Sequence, residues 1–431
     1  MSAGVRVLAS LLTLSSAVIA ETSWVDEYPK VAAAMNKACA AKEWTACREH
    51  LLKLEQMLDG RADIVYRLAR VEAALGNRSA ALERLSVFSK GGLTFADPAK
   101  EPAFADVKDD PQFAAAVARI KDAKEPVSRS KPFVNLAPSD LIAEDIAYDP
   151  KGEKFYVSGV RHSKILSIDR SGKVAEFLSE GHPDVWGILA VDIDSKRRIL
   201  WAATSALAET IGHKKEDDGR SALLKYSLDN GSLIKRYDLP RDTKHALGDM
   251  TVSSSGDVYV SDGESGAVYR VDHDKDALDV LIGPGVFRSP QTPALTPDEK
   301  RLLVPDYTRG ISIVDLAGGA VKLLRRPPEL SLGGIDGLYL SGRTLIAIQN
   351  GTAPERVIRM TLNASLERVD SWETIEANWP GLGDPTHGVV VGKQFYFIAN
   401  SGWDRMADDG TVKAGAAFEP AEVRVMPLSS R

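Results

Sequence analysis

Six residues, far apart in the chain, each stand at the start of a short apolar run: Glu144 in AEDIAY, Trp186 in VWGILAVD, Asp249 in LGDMTV, Gln291 in SPQTPALTPD, Asp336 in GGIDGLYL and His387 in PTHGVVV. Three carboxylates, a carboxamide, an indole and an imidazole make a polar centre if one architecture gathers them. Carboxylate oxygens suit hard divalent ions. An imidazole binds substrate or exchanges a proton near neutral pH. The spacing itself shows no metal, and the plain alternatives are strand-entry turn acids for Glu144, Asp249 and Asp336 and a hydrogen-bonded structural histidine for His387. Trp186 covers an apolar ligand or packs.

The elements that would position these residues repeat. EDIAYDPKGEKFYVSG followed by KILSIDRSGKVAEFL supplies four short strands separated by Asp, Gly and Lys turns, and comparable units return six times, at intervals of roughly forty to sixty residues. The pattern predicts an all-β six-bladed propeller over 133–431, whose innermost strands converge on one axis. FVNL, ahead of the first unit, pairs with the C-terminal VRVMPL and closes the ring, which removes two exposed sheet edges.

Upstream the period is helical. Val31, Met35 and Ala38, then Leu51, Leu54 and Leu58, then Val65, Leu68, Ala69 and Leu75 each mark one face of a helix. The chain is therefore α+β overall, with a helical domain at 21–120, a linker at 121–132 rich in charge, Pro and Ser, and the propeller after it. IVYRLARVEAALGNRSAALERLSVFSKGG, broken at Gly76 and Asn77, resembles a tetratricopeptide-type hairpin, a resemblance carried by 61–120 alone. It implies a helical cap or a surface for a protein partner. Cys39 and Cys47 flank a short turn between two helical segments, which suits a disulfide; two reduced, buried thiols are the alternative.

Residues 1–20 combine Arg6 with an apolar stretch from Val7 to Ala20, the pattern of a signal peptide cleaved near Ala20 and Glu21. An uncleaved anchor is the rival reading. Export predicts a periplasmic or secreted protein, and no later run is long enough for an integral membrane segment. The net charge of -6, from 54 basic and 60 acidic residues, gives no footprint for nucleic acid. HExxH, EF-hand and phosphate-loop patterns are absent.

Over Phe133 to Leu428 the repeats and entrance residues resemble the family of gluconolactonases, senescence marker protein, paraoxonases and strictosidine synthase. The resemblance implies a divalent metal, Ca²⁺ in the first instance, in the axial channel, and a ligand pocket on one face. Carried over residue by residue, it implies metal ligands at Glu144, at Gln291 where the family usually supplies Asn, and at Asp336. Asp249 matches an acid beside the ligand and becomes a water-orienting base, with Gly248 standing where Asn is often found. His387 is a second candidate for proton exchange. Paraoxonases place a histidine in the second unit, where this chain has Trp186. Trp186, His162, Asn350, Asn400 and Trp403 are candidates for the pocket rim, and Gly402 to Ala416 for a polar lid. The implied activity is metal-assisted hydrolysis of a small lactone or ester by a gluconolactonase-like hydrolase. A noncatalytic exported small-molecule sensor and a protein-interaction scaffold are the alternatives, since strictosidine synthase shows that this fold does not fix the reaction.

Overall fold

A computed structural model describes residues 23–182 and 185–428. The expected signal peptide at 1–20 lies outside the described residues. Five α-helices come first: α1 (Trp24–Ala40), α2 (Trp44–Met57), α3 (Ala62–Ala74), α4 (Arg78–Lys90) and α5 (Pro111–Asp122). Their starts follow from local chemistry. The Ser23 hydroxyl accepts from Val25 N at 3.1 Å, and the Asp110 carboxylate accepts from Gln112 N at 2.9 Å ahead of Pro111, whose ring suits the first helical position. Helices α1 to α3 bury Met35, Leu51, Leu54 and Leu68 together. A second core joins α3 to α5 through Leu85, Phe104 and Phe113. Cys39 and Cys47 form a disulfide across the α1–α2 turn, with Cα atoms 4.9 Å apart. Among the described residues no helix is long and apolar enough to cross a membrane.

Six antiparallel sheets follow, arranged as a propeller. Each blade is flanked by two others, so its middle strands are covered on both faces and read as continuous apolar runs, while the outer strands are largely exposed; Val258–Asp262 is buried at every position. Six shared cores fill the seams. Tyr156 meets Leu200 between blades one and two, Leu223 meets Val258 between two and three, and Val268 meets Leu302 between three and four. Ile313 meets Leu345, Val357 meets Phe397, and Ile398 meets Phe155 across the remaining three. Closure occurs where the sequence predicts it. Lys131–Asn135 pairs antiparallel with Glu422–Pro427, in the register Val134 to Val423.

The segment expected as a linker is built into the sheets instead. Val127–Ser128 pairs with the outer strand of blade five, and the Glu376 carboxylate accepts from Arg129 N and Ser130 N at 2.6 and 2.7 Å. Backbone donors that an exposed linker would give to water are thus taken by a buried acid. The helices rest on the loops of blades three to five, on the face where the innermost strands begin. Trp24 Nε1 donates to Val286 O at 2.9 Å, Thr94 N to Ala353 O at 2.7 Å, and Arg326 pairs with Asp59 at 2.9 Å. Arg356 is wholly buried, donating from Nε to Gln349 Oε1 at 2.8 Å and from Nη1 to Gly91 O at 2.7 Å.

Carboxylates also stitch the innermost strands. Asp145 Oδ2 accepts from Val191 N of the next blade at 2.9 Å, and Asp192 Oδ2 accepts from Val252 N of the blade after that at 2.8 Å. Both acids line an axial cavity of about 360 Å³, together with Asp249, Thr292 and Tyr339. Burial pushes Asp192 up to about 7 against two backbone N–H donors, from Ile193 and Val252.

Two outcomes follow from these contacts. Arg356→Ala strips a donor from two buried acceptors that join the helices to blade five, and is expected to cost about 3 kcal/mol, read as a lower urea midpoint. For Asp192 the folded-state value lies above the unfolded one, near 3.9. The native state then binds the extra proton from about pH 4 to 7, so stability falls as pH rises through that window and is level above it. Asp192→Asn should remove a fall on the order of 2 kcal/mol between pH 5 and 8. Identical pH profiles for the variant and the parent would refute that assignment.

Candidate metal centre

The axis gathers side chains from four blades. Glu144 is the second residue of the innermost strand Ala143–Asp149, and Asp249 the third of Leu247–Val252. Asp336 and His387 lie just ahead of Leu338–Ser341 and Gly388–Val391. Ligand atoms of Glu144, Asp336 and His387 all fall within 4.8 Å of one another, and all three residues are buried.

His387 is oriented by the first blade. Its Nδ1 lies 2.9 Å from the Glu144 backbone oxygen, and because a carbonyl only accepts, the proton sits on Nδ1. Nε2 then faces the carboxylates, in close contact with Asp249 Oδ1 and 3.7 Å from Asp336 Oδ1. Each acid is held in turn. Thr292 Oγ1 donates to Asp249 Oδ1 at 2.8 Å, Asn350 Nδ2 to Asp336 Oδ2 at 2.7 Å, and Trp403 Nε1 to Glu144 Oε2. Tyr307 OH donates to Asn350 Oδ1 at 3.0 Å, and Thr386 Oγ1 to the Glu144 carbonyl at 2.7 Å.

The electrostatics are those of a site short of positive charge. Burial raises Glu144 well above the usual carboxylate range, with Asp336 and Asp249 adding to the effect and His387 opposing it. Burial likewise pushes Asp336 up to about 6. At His387 burial disfavours the imidazolium, but the Asp336 and Asp249 charges outweigh it and raise the group well above its ordinary value. Three carboxylates thus share one imidazole. A divalent cation fits this donor set: two carboxylates and an imidazole whose other N–H is anchored on a carbonyl, as metal-binding histidines commonly are.

The other expected site residues divide. Asn350 and Trp403 touch the cluster, each through one carboxylate. Gln291 turns its amide nitrogen to Ser289, 3.0 Å from the hydroxyl, and the following residue, Thr292, is the one that reaches Asp249. The third member of the buried cluster is accordingly His387. Trp186 lies between the guanidinium groups of Arg220 and Arg236, at 4.6 and 4.8 Å, which makes it a packing aromatic. His162 is paired with Asp140 and Glu180 at 2.9 and 2.8 Å. Asn400 clasps backbone, accepting from Glu422 N at 2.7 Å and donating to Pro420 O at 3.2 Å. The insertion expected as a polar lid has an apolar underside: its Trp403 and Met406, joined by Phe418 just beyond it, pack on Ile142, Val160 and Leu189. Thr292, Tyr307 and Thr386 were not among the expected residues, and adjacency to an entrance residue is the only signal the sequence holds for the two threonines.

No family model matches the sequence, and no curated protein matches it. Similar solved structures include the aldose sugar dehydrogenase of Streptomyces coelicolor in its PQQ-bound form, 13% identical, covering 70% of this chain and 99% of that one with a TM-score of 0.47. Virginiamycin B lyase of Staphylococcus aureus is 14% identical, covering 69% and 98%, with a TM-score of 0.45. A gluconolactonase of Xanthomonas campestris is 13% identical, covering 70% and 96%, with a TM-score of 0.43. These proteins differ in chemistry among themselves, and at this identity their likeness assigns no activity to the chain.

Proposed function

We propose that the protein is an exported, divalent-metal-dependent hydrolase of small lactones or esters. The observation that carries this reading is the convergence of Glu144, Asp336 and His387 from three blades, with His387 locked in the tautomer that points Nε2 at the acids. The imidazole alters the expectation of Ca²⁺. Calcium takes oxygen ligands, whereas a mixed nitrogen and carboxylate set suits Zn²⁺, Mn²⁺ or Fe²⁺. An ion held there supplies Lewis-acid polarisation of the ester carbonyl and lowers the pKa of water.

The chain supplies the rest. Asp249 lines the axial cavity and lies against His387, so it is the carboxylate placed to take the proton from an attacking water. Thr292 fixes its orientation, and Asn350 does the same for Asp336. Residues 7–20 and the Cys39–Cys47 disulfide support export to the periplasm or the medium, where such bonds persist.

Elemental analysis should find one transition-metal ion per chain, and the loaded protein should hydrolyse members of a panel of γ-lactones, δ-lactones and aryl esters. Asp336→Ala is expected to lose the ion and at least about 100-fold in kcat/KM with its circular dichroism unchanged. Metal-loaded protein that turns over none of the panel would sink the hydrolase and leave the noncatalytic sensor. Asn350→Ala, which only removes a support from Asp336, should weaken metal affinity roughly 10- to 100-fold in a competition with a chromogenic chelator. Unchanged affinity would show that Asn350 does not position the ligand.

A further inference from the structure

The helices do more than cover the propeller. Between them and the loops of blades four and five lies a cleft of about 490 Å³, within the size range of small-molecule sites. Its helical wall carries Tyr28, Leu93 and Phe95, and its propeller wall Tyr307, Gly334 and Gly351. Phe95 is 43% exposed and Tyr307 37%, while Phe95 is held in place by Phe88 at a centroid distance of 5.0 Å. An aromatic surface on each side is therefore left uncovered in the cleft.

Glycine backbone seats the ring of the propeller wall. A Cβ on Gly351 would stand 2.5 Å from the Tyr307 ring and 2.7 Å from Gly334 Cα, so glycine alone lets Tyr307 lie against this stretch. Arg61 and Asp63, the charged side chains of the lining, are joined by two hydrogen bonds of 2.6 and 2.9 Å, and Arg61 Nη1 also donates to Thr308 O. Aromatic walls and internally neutralised charge select for a neutral ring and against an ion. Through Tyr307 and Asn350 the cleft is two hydrogen bonds from Asp336.

From these features we propose that the cleft between the helices and the propeller binds a neutral, planar aromatic ring. Combined with the hydrolase reading, on which this further step rests, the cleft holds the ring of an aryl ester or aryl lactone beside the axial centre. The binding claim stands apart from the chemistry.

The probe is 2-naphthol, which is neutral, planar and not hydrolysable, titrated into the full exported chain by calorimetry. Saturable one-to-one binding is expected. Phe95→Ala, in the segment after α4, and Tyr28→Ala, in α1, should each weaken it roughly tenfold, Phe95→Tyr should retain it, and Asp336→Ala should bind as the parent does. No saturable binding, or equal binding by Phe95→Ala and Tyr28→Ala in folded form, overturns the proposal. With 2-naphthyl acetate as substrate, Phe95→Ala should raise KM and leave kcat within about twofold, while its KM for ethyl acetate stays unchanged. Naphthol binding by metal-loaded protein that turns over neither these esters nor any member of the lactone and ester panel would remove the hydrolase reading and leave the aromatic site intact.

Discussion

The pairing of Lys131–Asn135 with Glu422–Pro427 joins the two ends of the propeller, and the seam it seals is as apolar as the other five. Few backbone hydrogen bonds are involved, and each contributes only about 1 kcal/mol net. Its larger effect is to let Phe155 and Leu166 of the first blade pack against Ile398 and Val423 of the last. An open ring would leave both faces wet. The same closure sets Glu144 beside His387, residues 243 positions apart, and the bond from Nδ1 to the Glu144 carbonyl crosses this seam. Ring closure and imidazole tautomer are thus one constraint seen at two scales.

From that constraint the chemistry of the axis follows. A propeller brings the starts of its innermost strands together regardless of charge, and here it brings Glu144, Asp249 and Asp336 around one histidine. Elsewhere on the axis Asp145 and Asp192 accept from backbone N–H groups of the next blade, which offsets part of the cost of burying them. At the strand entrances the acids face one another, and hydrogen bonds from Trp403, Thr292 and Asn350 offset only part of their repulsion. Like charges gathered in a dry place call for a cation or shared protons.

What could be read from the sequence follows what periodicity controls. Repeats of apolar runs place residues at strand entrances, so Glu144, Asp249, Asp336 and His387 were identifiable before any coordinates, as was the closing strand. Which of two neighbours points inward is decided by local turn geometry. Gln291 bonds to Ser289 while Thr292 reaches Asp249, and no composition or spacing distinguishes them. Trp186 occupies an entrance too, but two arginines from its own blade hold it, through contacts that form only in the folded sheet. The charged, proline-containing run after α5 has the composition of a linker, and its strand pairing depends on Glu376, some 250 residues away.

Two covers share the face above the axis, and one of them, the insertion, holds a carboxylate of the cluster. The insertion between the second and third strands of blade six packs over blades one and two and places Trp403 on Glu144. The helices pack over blades three to five, beside Tyr307, which reaches Asp336 through Asn350. Displacing the insertion removes the Trp403 donor from Glu144 and so alters the charge the cluster presents. The propeller supplies the charged centre, and segments outside its repeat supply the surfaces that choose what reaches it.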